Sequence, residues 1–208
     1  MVNSKFYLDK KVFSCLLIVI FLLAFVSGCV NKSNGGVGVN KKIVMIIAPE
    51  NFRDEELLEP KQVFETAGFN VTVASKGVDE ARGMLGAVVK VDKDVSNLNI
   101  HDYDAVVFVG GSGAAVYFDD VEILDLAQEA YKSADIIGAI CIAPSILANA
   151  GLLEGKKATS FPSEKQNLND KGAIYTGNDV EKDGKIITAV GPSAALKFGE
   201  EIRDALLN

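Results

Sequence analysis

Blocks of apolar residues alternate with helix-periodic stretches along the chain. "KKIVMIIAP" (41–49) is a short run rich in Ile and Val, the pattern of a strand buried on both faces. "RDEELLEPKQVFETAG" (53–68) follows and predicts a helix, with Asp54, Glu55 and Glu56 in an acidic first turn and Gly68 just past its end. "FNVTVASKG" (69–77) predicts a second strand, "RGMLGAVVKVDKDV" (82–95) two short β pieces, and "YDAVVFVGG" (103–111) a third major strand. "VEILDLAQEAYKSAD" (121–135) predicts a helix with Val121, Leu124, Ala127, Tyr131 and Ala134 near one face. Then come a fourth strand, "IIGAIC" (136–141), a short helix, "APSILANAG" (143–151), and another short strand after "GKKAT" (155–159). "VEKDGKIITAVG" (180–191) reads as a hairpin around Asp183-Gly184, and "PSAALKFGEEIRDALL" (192–207) closes the chain as a helix.

Strands alternating with helices imply βαβ crossovers: an α/β fold with a doubly wound, mostly parallel sheet flanked by helices. Such sheets place ligand sites at the carboxyl ends of strands near the switch point. Three stretches fall at such ends: "PENFRDEE", "GGSGAA" and "CIAP".

The N-terminus follows a different pattern. Lys5, Lys10 and Lys11 precede an apolar run from Val12 to Val26, and "VSGC" follows at 26–29. This is the layout of a secretory signal. The cysteine after Ser-Gly resembles a lipobox, in which cleavage leaves Cys29 as a lipidated N-terminus; an uncleaved anchor helix is the alternative. Either reading predicts an exported domain held at a membrane. Residues 1–28 are thus expected to be a signal or anchor, 29–40 a Gly- and Asn-rich tether with the lipidation site, and 41–208 the folded domain. Of the three cysteines, Cys15 and Cys29 lie in the N-terminal segment, so Cys141 is the domain's only thiol. That excludes a disulfide or a cysteine metal cluster within the domain.

The formal charge is −7, and removing the first 28 residues leaves 18 basic against 27 acidic residues, a net −9. No basic block follows the signal, which argues against a nucleic-acid partner. The single histidine, His101, sits in "LNIHDYD" before a strand, which suits a turn better than catalysis and leaves histidine-based metal binding without ligands. "VGGSGAAV" (109–116) fails the dinucleotide pattern because Val116 holds its last position.

Cys141 carries the candidate chemistry. A strand that ends in cysteine and passes straight into a helix is the context of a nucleophile elbow, although buried cysteine also serves as a small hydrophobe. Glu56 shares a helical face with Pro60, Val63, Phe64 and Ala67, so it is the acid of its turn aligned with the buried stripe. Desolvation there raises a carboxyl pKa and suits proton transfer. Gly110 and Gly111 can form a tight turn that offers an N–H to an oxyanion.

These motifs, taken in order, resemble the ThiJ/PfpI (DJ-one) superfamily, which has a class I glutamine amidotransferase-like fold. "AICIAPSILANAGLLEGKKATSFP" is similar to its AIC-x-x-P nucleophile region and the G-K-x-T-S/T-x-P that follows. "DEELLEP" is similar to its E-x-x-x-P helix start, "YDAVVFVGG" to its D-x-(apolar)-G-G strand, and "VEKDGKIITAVGPSAALKFGEEI" to its C-terminal hairpin and helix. The resemblance implies that Cys141 is a nucleophile of depressed pKa, that Glu56 hydrogen-bonds it and shuttles a proton, and that the Gly111 and Ile142 N–H groups hold an oxyanion. It implies no cofactor and a homo-oligomer. The family spans glyoxalase- and deglycase-type enzymes, reported proteases, chaperone-like proteins and oxidation sensors. The expected function is therefore cysteine-dependent action on small dicarbonyls or their adducts, with a non-catalytic redox-sensing or chaperone-like role as the alternative. Protease-like members carry histidine directly after the cysteine, where this chain has Ile142. Several glyoxalase-type members carry one before the later proline, where this chain has Phe161. Proteolysis is disfavoured on that ground, since expelling an amine benefits from a strong proton donor.

Overall fold

The computed structural model describes residues 40–208. Twelve strands and five helices form, in chain order, β1 (Lys42–Ile46), β2 (Glu50–Phe52), α1 (Asp54–Thr66), β3 (Asn70–Ser75), β4 (Glu80–Gly83), β5 (Val88–Lys90), β6 (Lys93–Asp94), β7 (Ala105–Phe108), α2 (Val121–Ser133), β8 (Ile136–Ile140), α3 (Pro144–Asn149), β9 (Lys157–Ala158), α4 (Lys165–Asp170), β10 (Ile174–Tyr175), β11 (Val180–Asp183), β12 (Ile186–Ala189) and α5 (Ala195–Leu207). Seven strands make the main sheet in the order β11-β12-β8-β7-β1-β3-β6, parallel throughout except for β11. The order runs outward from β1 in both directions, first to β3 and then back to β7, which puts the switch point beside β1.

The centre of the sheet is buried on both faces because β7 and β8, and β1 after Lys42, are apolar at every position, and each face has its own core. Val44, Ile46, Val106 and Phe108 pack with α2 and α3 on one side. Ile43, Met45, Val107 and Ile187 face Leu57 and Phe64 of α1 and Phe198, Ile202 and Leu206 of α5 on the other. This three-layer arrangement agrees with the fold class expected from the sequence.

Several local details differ from expectation. The buried face of α2 is Ile123, Leu126, Ala127 and Ala130, while Val121 is 69% exposed. Asp120 caps the helix by accepting from the Glu122 and Ile123 N–H groups, and packing in the core on this side of the sheet selects Ile123, Leu126, Ala127 and Ala130 as the buried stripe. In "RGMLGAVVKVDKDV" the structure has three pieces rather than two, because β6 leaves the β4–β5 hairpin and pairs with β3. Helix α4 and strand β10 form without a periodic signal in the sequence.

The exported, membrane-anchored placement is contradicted. Among the described residues no helix is long and apolar enough to cross a membrane. The longest have 13 residues, about 20 Å at 1.5 Å per residue, and their apolar faces are spent on the sheet. The signal run, the tether and Cys29 lie outside the described residues.

Helices α1 and α5 lie against each other because Gly199 gives no side chain to the contact. A Cβ there would sit 2.8 Å from the Pro60 Cα, which is backbone and cannot give way. Gly199→Val should therefore force the helices apart and cost about 2–3 kcal/mol, or roughly 5–10 °C in Tm. A thermal melt within 2 °C (roughly) of wild type would refute this close packing.

Candidate active site

The site forms where β1, β7 and β8 end. Residue 141 follows β8 and has φ of 64°, a left-handed conformation that costs a non-glycine residue about 1–2 kcal/mol. The surroundings hold it there. Its N–H donates to the Ala189 carbonyl at 2.9 Å, and its carbonyl accepts from the Phe161 N–H at 2.7 Å. The turn points the thiol away from the sheet, toward α1, and leaves Cys141 8% exposed.

Glu56 comes from the first turn of α1 and is fully buried. Its helix is tied to the β7 loop by the Arg53 N–H, which donates to the Gly110 carbonyl at 3.1 Å. Pro60 has no N–H, so the Glu56 carbonyl four residues earlier lacks an α-helical donor there. Gly110 makes the acid–thiol approach possible. A Cβ on it would lie 2.5 Å from Glu56 Oε2 and 2.6 Å from Cys141 Cβ, so the carboxyl and the thiol share the space a side chain would fill. Gly111, at φ 89°, is pressed against the backbone of residues 51–53 and aims its N–H at the sulfur, as does Ile142.

The electrostatics follow from this burial. Neither Glu56 carboxyl oxygen has a hydrogen-bond partner of full geometry. Desolvation pushes its pKa from the ordinary 4.5 up to about 7, and the nearby Cys141 thiol, Gly110 N–H and Arg53 charge offset that only in part. Burial and then the Glu56 charge push the Cys141 thiol from 9.0 up to about 12, against the pull of the Gly111 and Ile142 N–H groups. The depressed thiol pKa implied by the resemblance is thus corrected. Helix α3 has only six residues, and two N–H groups do not outweigh desolvation and an adjacent carboxylate. Protonation of Glu56 removes the second of those causes, so the pair behaves as one unit in which the thiol ionises by passing its proton to the acid.

The structure brings Cys141, Glu56, Gly111 and Ile142 to one pocket of about 380 Å³. Met84, Phe161 and Pro192 form much of its apolar wall, and Arg53, Ser112, Ser163 and Glu164 its polar edge. A larger groove of about 640 Å³ between α1 and α5 holds no nucleophile. His101 is exposed, 3.1 Å from Glu129. Among the described residues no cluster of His, Cys, Asp and Glu is placed to hold a metal ion.

Two pocket residues, Arg53 and Glu164, and one residue that shapes the pocket from outside, Asp54, had no signal of these roles in the sequence. Asp54 accepts from the Leu85 and Ala87 N–H groups at 2.8 Å, which pins the β4–β5 turn onto α1 and brings Met84 to the pocket. Arg53 holds Glu55 through two nitrogens at 2.8 and 3.0 Å. Glu164 arrives on the loop after β9, in a stretch without periodicity.

The DJ-1/PfpI family model matches residues 41–205, nearly the whole described region. The chain belongs to the DJ-1/PfpI family. It is 41% identical over 197 residues to the uncharacterized protein MJ0967 of Methanocaldococcus jannaschii, covering 92% of this chain and 96% of that one. The deglycase PH1704 of Pyrococcus horikoshii is 28% identical, with 72% and 90% covered. The name of a Bacillus subtilis relative, 29% identical with 78% and 96% covered, refers to cysteine protease activity. The crystal structure of a ThiJ/PfpI domain protein from Brachyspira murdochii superimposes with a TM-score of 0.79 at 31% identity, covering 81% of this chain and 97% of that one. DJ-1/PfpI proteins are often homo-oligomers, and the expectation of one here rests on the family. The match to MJ0967 over 92% of the chain adds to the correction above: this is a DJ-1/PfpI protein, and an exported, membrane-anchored state is not supported.

The raised Glu56 pKa has a stability consequence. Its folded value lies above its unfolded one, so the fold favours the protonated acid. That contribution is complete below about 4.5 and is lost as pH rises through about 7. The full span amounts to about 3 kcal/mol. Thermal melts between pH 4 and pH 8 should fall for wild type and stay flatter for Glu56→Gln. Parallel profiles for the two proteins would show that the carboxyl is not held as described.

Proposed function

We propose that this protein is a cysteine-dependent enzyme acting on small dicarbonyls or their adducts, with Cys141 as nucleophile and Glu56 as proton carrier. The observation that carries the reading is the buried Cys141–Glu56 pair, held at a strained turn with two N–H groups aimed at the sulfur. The names of deglycase relatives point the same way.

The chemistry balances with these groups alone. Cys141 passes its proton to Glu56 and the sulfur adds to the aldehyde carbon of methylglyoxal. The carbonyl electron pair becomes an oxyanion at the Gly111 and Ile142 N–H groups and takes the proton from Glu56. Glu56 then moves the aldehyde hydrogen, as a proton, to the neighbouring carbon. That oxidises the first carbon to a thioester and reduces the second to an alcohol. Water breaks the S–C bond, releases a 2-hydroxy acid and returns a proton to the thiol. One water is consumed, and no external oxidant or reductant is needed.

Proteolysis fits less well. Ile142 and Phe161 stand where a histidine would supply the proton for a leaving amine, and Glu56 is already committed to the thiol.

Methylglyoxal turnover should fall to background in Cys141→Ser and by about a hundredfold or more in Glu56→Gln, the usual range for loss of an acid–base group. The reactive form carries one proton shared by the pair, so kcat/KM should climb with pH to about 7 and then level. Wild-type turnover no greater than that of Cys141→Ser would sink the enzymatic reading and favour a non-catalytic, redox-sensing or chaperone-like role.

A further inference from the structure

In the last step of the proposed reaction water cleaves a thioester on Cys141, and neutral water attacks slowly unless a base takes its proton. Glu56 is badly placed for that task. It has no exposure to solvent and its carboxyl oxygens are buried beside the thiol, so a water molecule in the pocket does not reach them. Among the residues that line the pocket there is one other carboxylate, Glu164, and it is only partly buried. The remaining polar side chains there are the guanidinium of Arg53 and the hydroxyls of Ser112 and Ser163, none of which accepts a proton near neutral pH.

The fold fixes Glu164 to the nucleophile's own turn. The Phe161 N–H donates to the Cys141 carbonyl at 2.7 Å, and the Glu164 N–H donates to the Phe161 carbonyl at 3.0 Å. A second tie runs through side chains. Ser145, fully buried on α3, donates its N–H to the Ile142 carbonyl at 3.1 Å. Its hydroxyl donates to Glu164 Oε2 at 2.7 Å, and the Ser163 hydroxyl donates to Oε1 at 2.7 Å. A carboxylate oxygen has about two lone-pair positions, so one on each oxygen holds the group in place and one on each is left for water. Both donors are neutral, and they orient the carboxylate without cancelling its charge.

From this placement we infer that Glu164 is a catalytic residue of the hydrolytic step, the general base that takes a proton from the water attacking the Cys141 thioester. The O–C bond forms as an O–H bond of the water breaks toward Glu164, and the thioester carbonyl becomes an oxyanion at the Gly111 and Ile142 N–H groups. The oxyanion then collapses and the C–S bond breaks with its electron pair on sulfur. The proton held by Glu164 returns to the sulfur through solvent. Thioester and water give carboxylic acid and thiol, and no oxidant or reductant enters. The two acids divide the cycle: Glu56 serves the formation of the thioester and Glu164 its removal. The inference rests on Cys141 carrying an acyl group, as in the proposed function, but not on how that group arrives.

p-Nitrophenyl lactate tests this step, because it places a 2-hydroxyacyl group on Cys141 without any dicarbonyl chemistry. Rapid-quench mass spectrometry of the full chain follows the acyl group as it appears and leaves, and Cys141→Ser corrects for the other two cysteines. Glu164→Gln, which keeps the shape and loses the base, should still form the acyl-protein but lose the acyl group to water about a hundredfold more slowly, the usual range for loss of a general base. Hydroxylamine needs no base and should cleave the acyl group equally fast in both proteins. A fall in water deacylation of less than roughly tenfold overturns the inference. So does a hydroxylamine rate that falls as far as the water rate, since Glu164 would then only hold the turn in shape. Should Glu164→Gln form no acyl-protein, Glu164→Ala decides in its place: faster deacylation with added formate supports the inference, and no response overturns it. Dicarbonyl turnover by wild type with unchanged ester deacylation in Glu164→Gln removes the base and leaves the proposed function. Slowed ester deacylation in Glu164→Gln, with no dicarbonyl turnover by wild type, does the reverse. Wild type that forms no Cys141-dependent acyl-protein overturns both.

Discussion

A carboxyl group with no exposure to solvent, set against a thiol, is the contact on which the rest of the site depends. Burial keeps Glu56 protonated to about pH 7, and its charge, when formed, suppresses ionisation of Cys141. Each group therefore sets the state of the other. Gly110 is the condition for this: only a residue without a Cβ lets Oε2 and the cysteine Cβ approach the same point. The positive φ of Cys141 is the second condition, because it turns the sulfur toward α1.

The fold supplies the restraint that both conditions need. Residue 141 is bonded through its N–H to the last residue of β12 and through its carbonyl to the loop after β9, so the turn cannot relax without breaking contacts to two neighbours. The helix that brings Glu56 is held by the Gly110 carbonyl at one end and by Pro60 against Gly199 on its flank. Parallel strands ending at a common edge make this convergence possible, since three consecutive loops then meet beside the switch point.

Much of this was legible in the sequence. Runs such as "KKIVMIIAP" and "YDAVVFVGG" are too apolar for a half-exposed sheet, and the helices between them imply parallel pairing. Glu56 could be placed on the buried face of α1 by counting residues, and the direction of its pKa followed from that burial. What counting missed depends on contacts between distant segments. Asp54 also proved buried, because it caps the β4–β5 turn about thirty residues away, and no helical period reports such a partner. Glu164 lies in an aperiodic loop, and its meaning comes from Ser145, nineteen positions earlier. The direction of the thiol pKa is not legible in the sequence, because the elbow's N–H groups point one way and the desolvation that opposes them appears only once the pocket is closed. The apolar N-terminal run suggested a membrane, yet the described helices are short and turned inward.

The residues missing beside Cys141 narrow the chemistry as much as those present. Ile142 contributes an N–H but no side-chain proton, and Phe161 contributes apolar wall. Glu56 is thus the acid next to the sulfur, and in the proposed reaction it holds one proton that it shares with Cys141. An amide substrate needs a proton for its leaving nitrogen while the thiolate is still forming its bond, which asks two simultaneous tasks of that one group. A dicarbonyl sets the tasks in sequence. The oxyanion takes the proton, the adjacent C–H gives one back, and the carboxyl is restored between steps. A site with a single buried acid is consistent with the second kind of reaction and poorly equipped for the first.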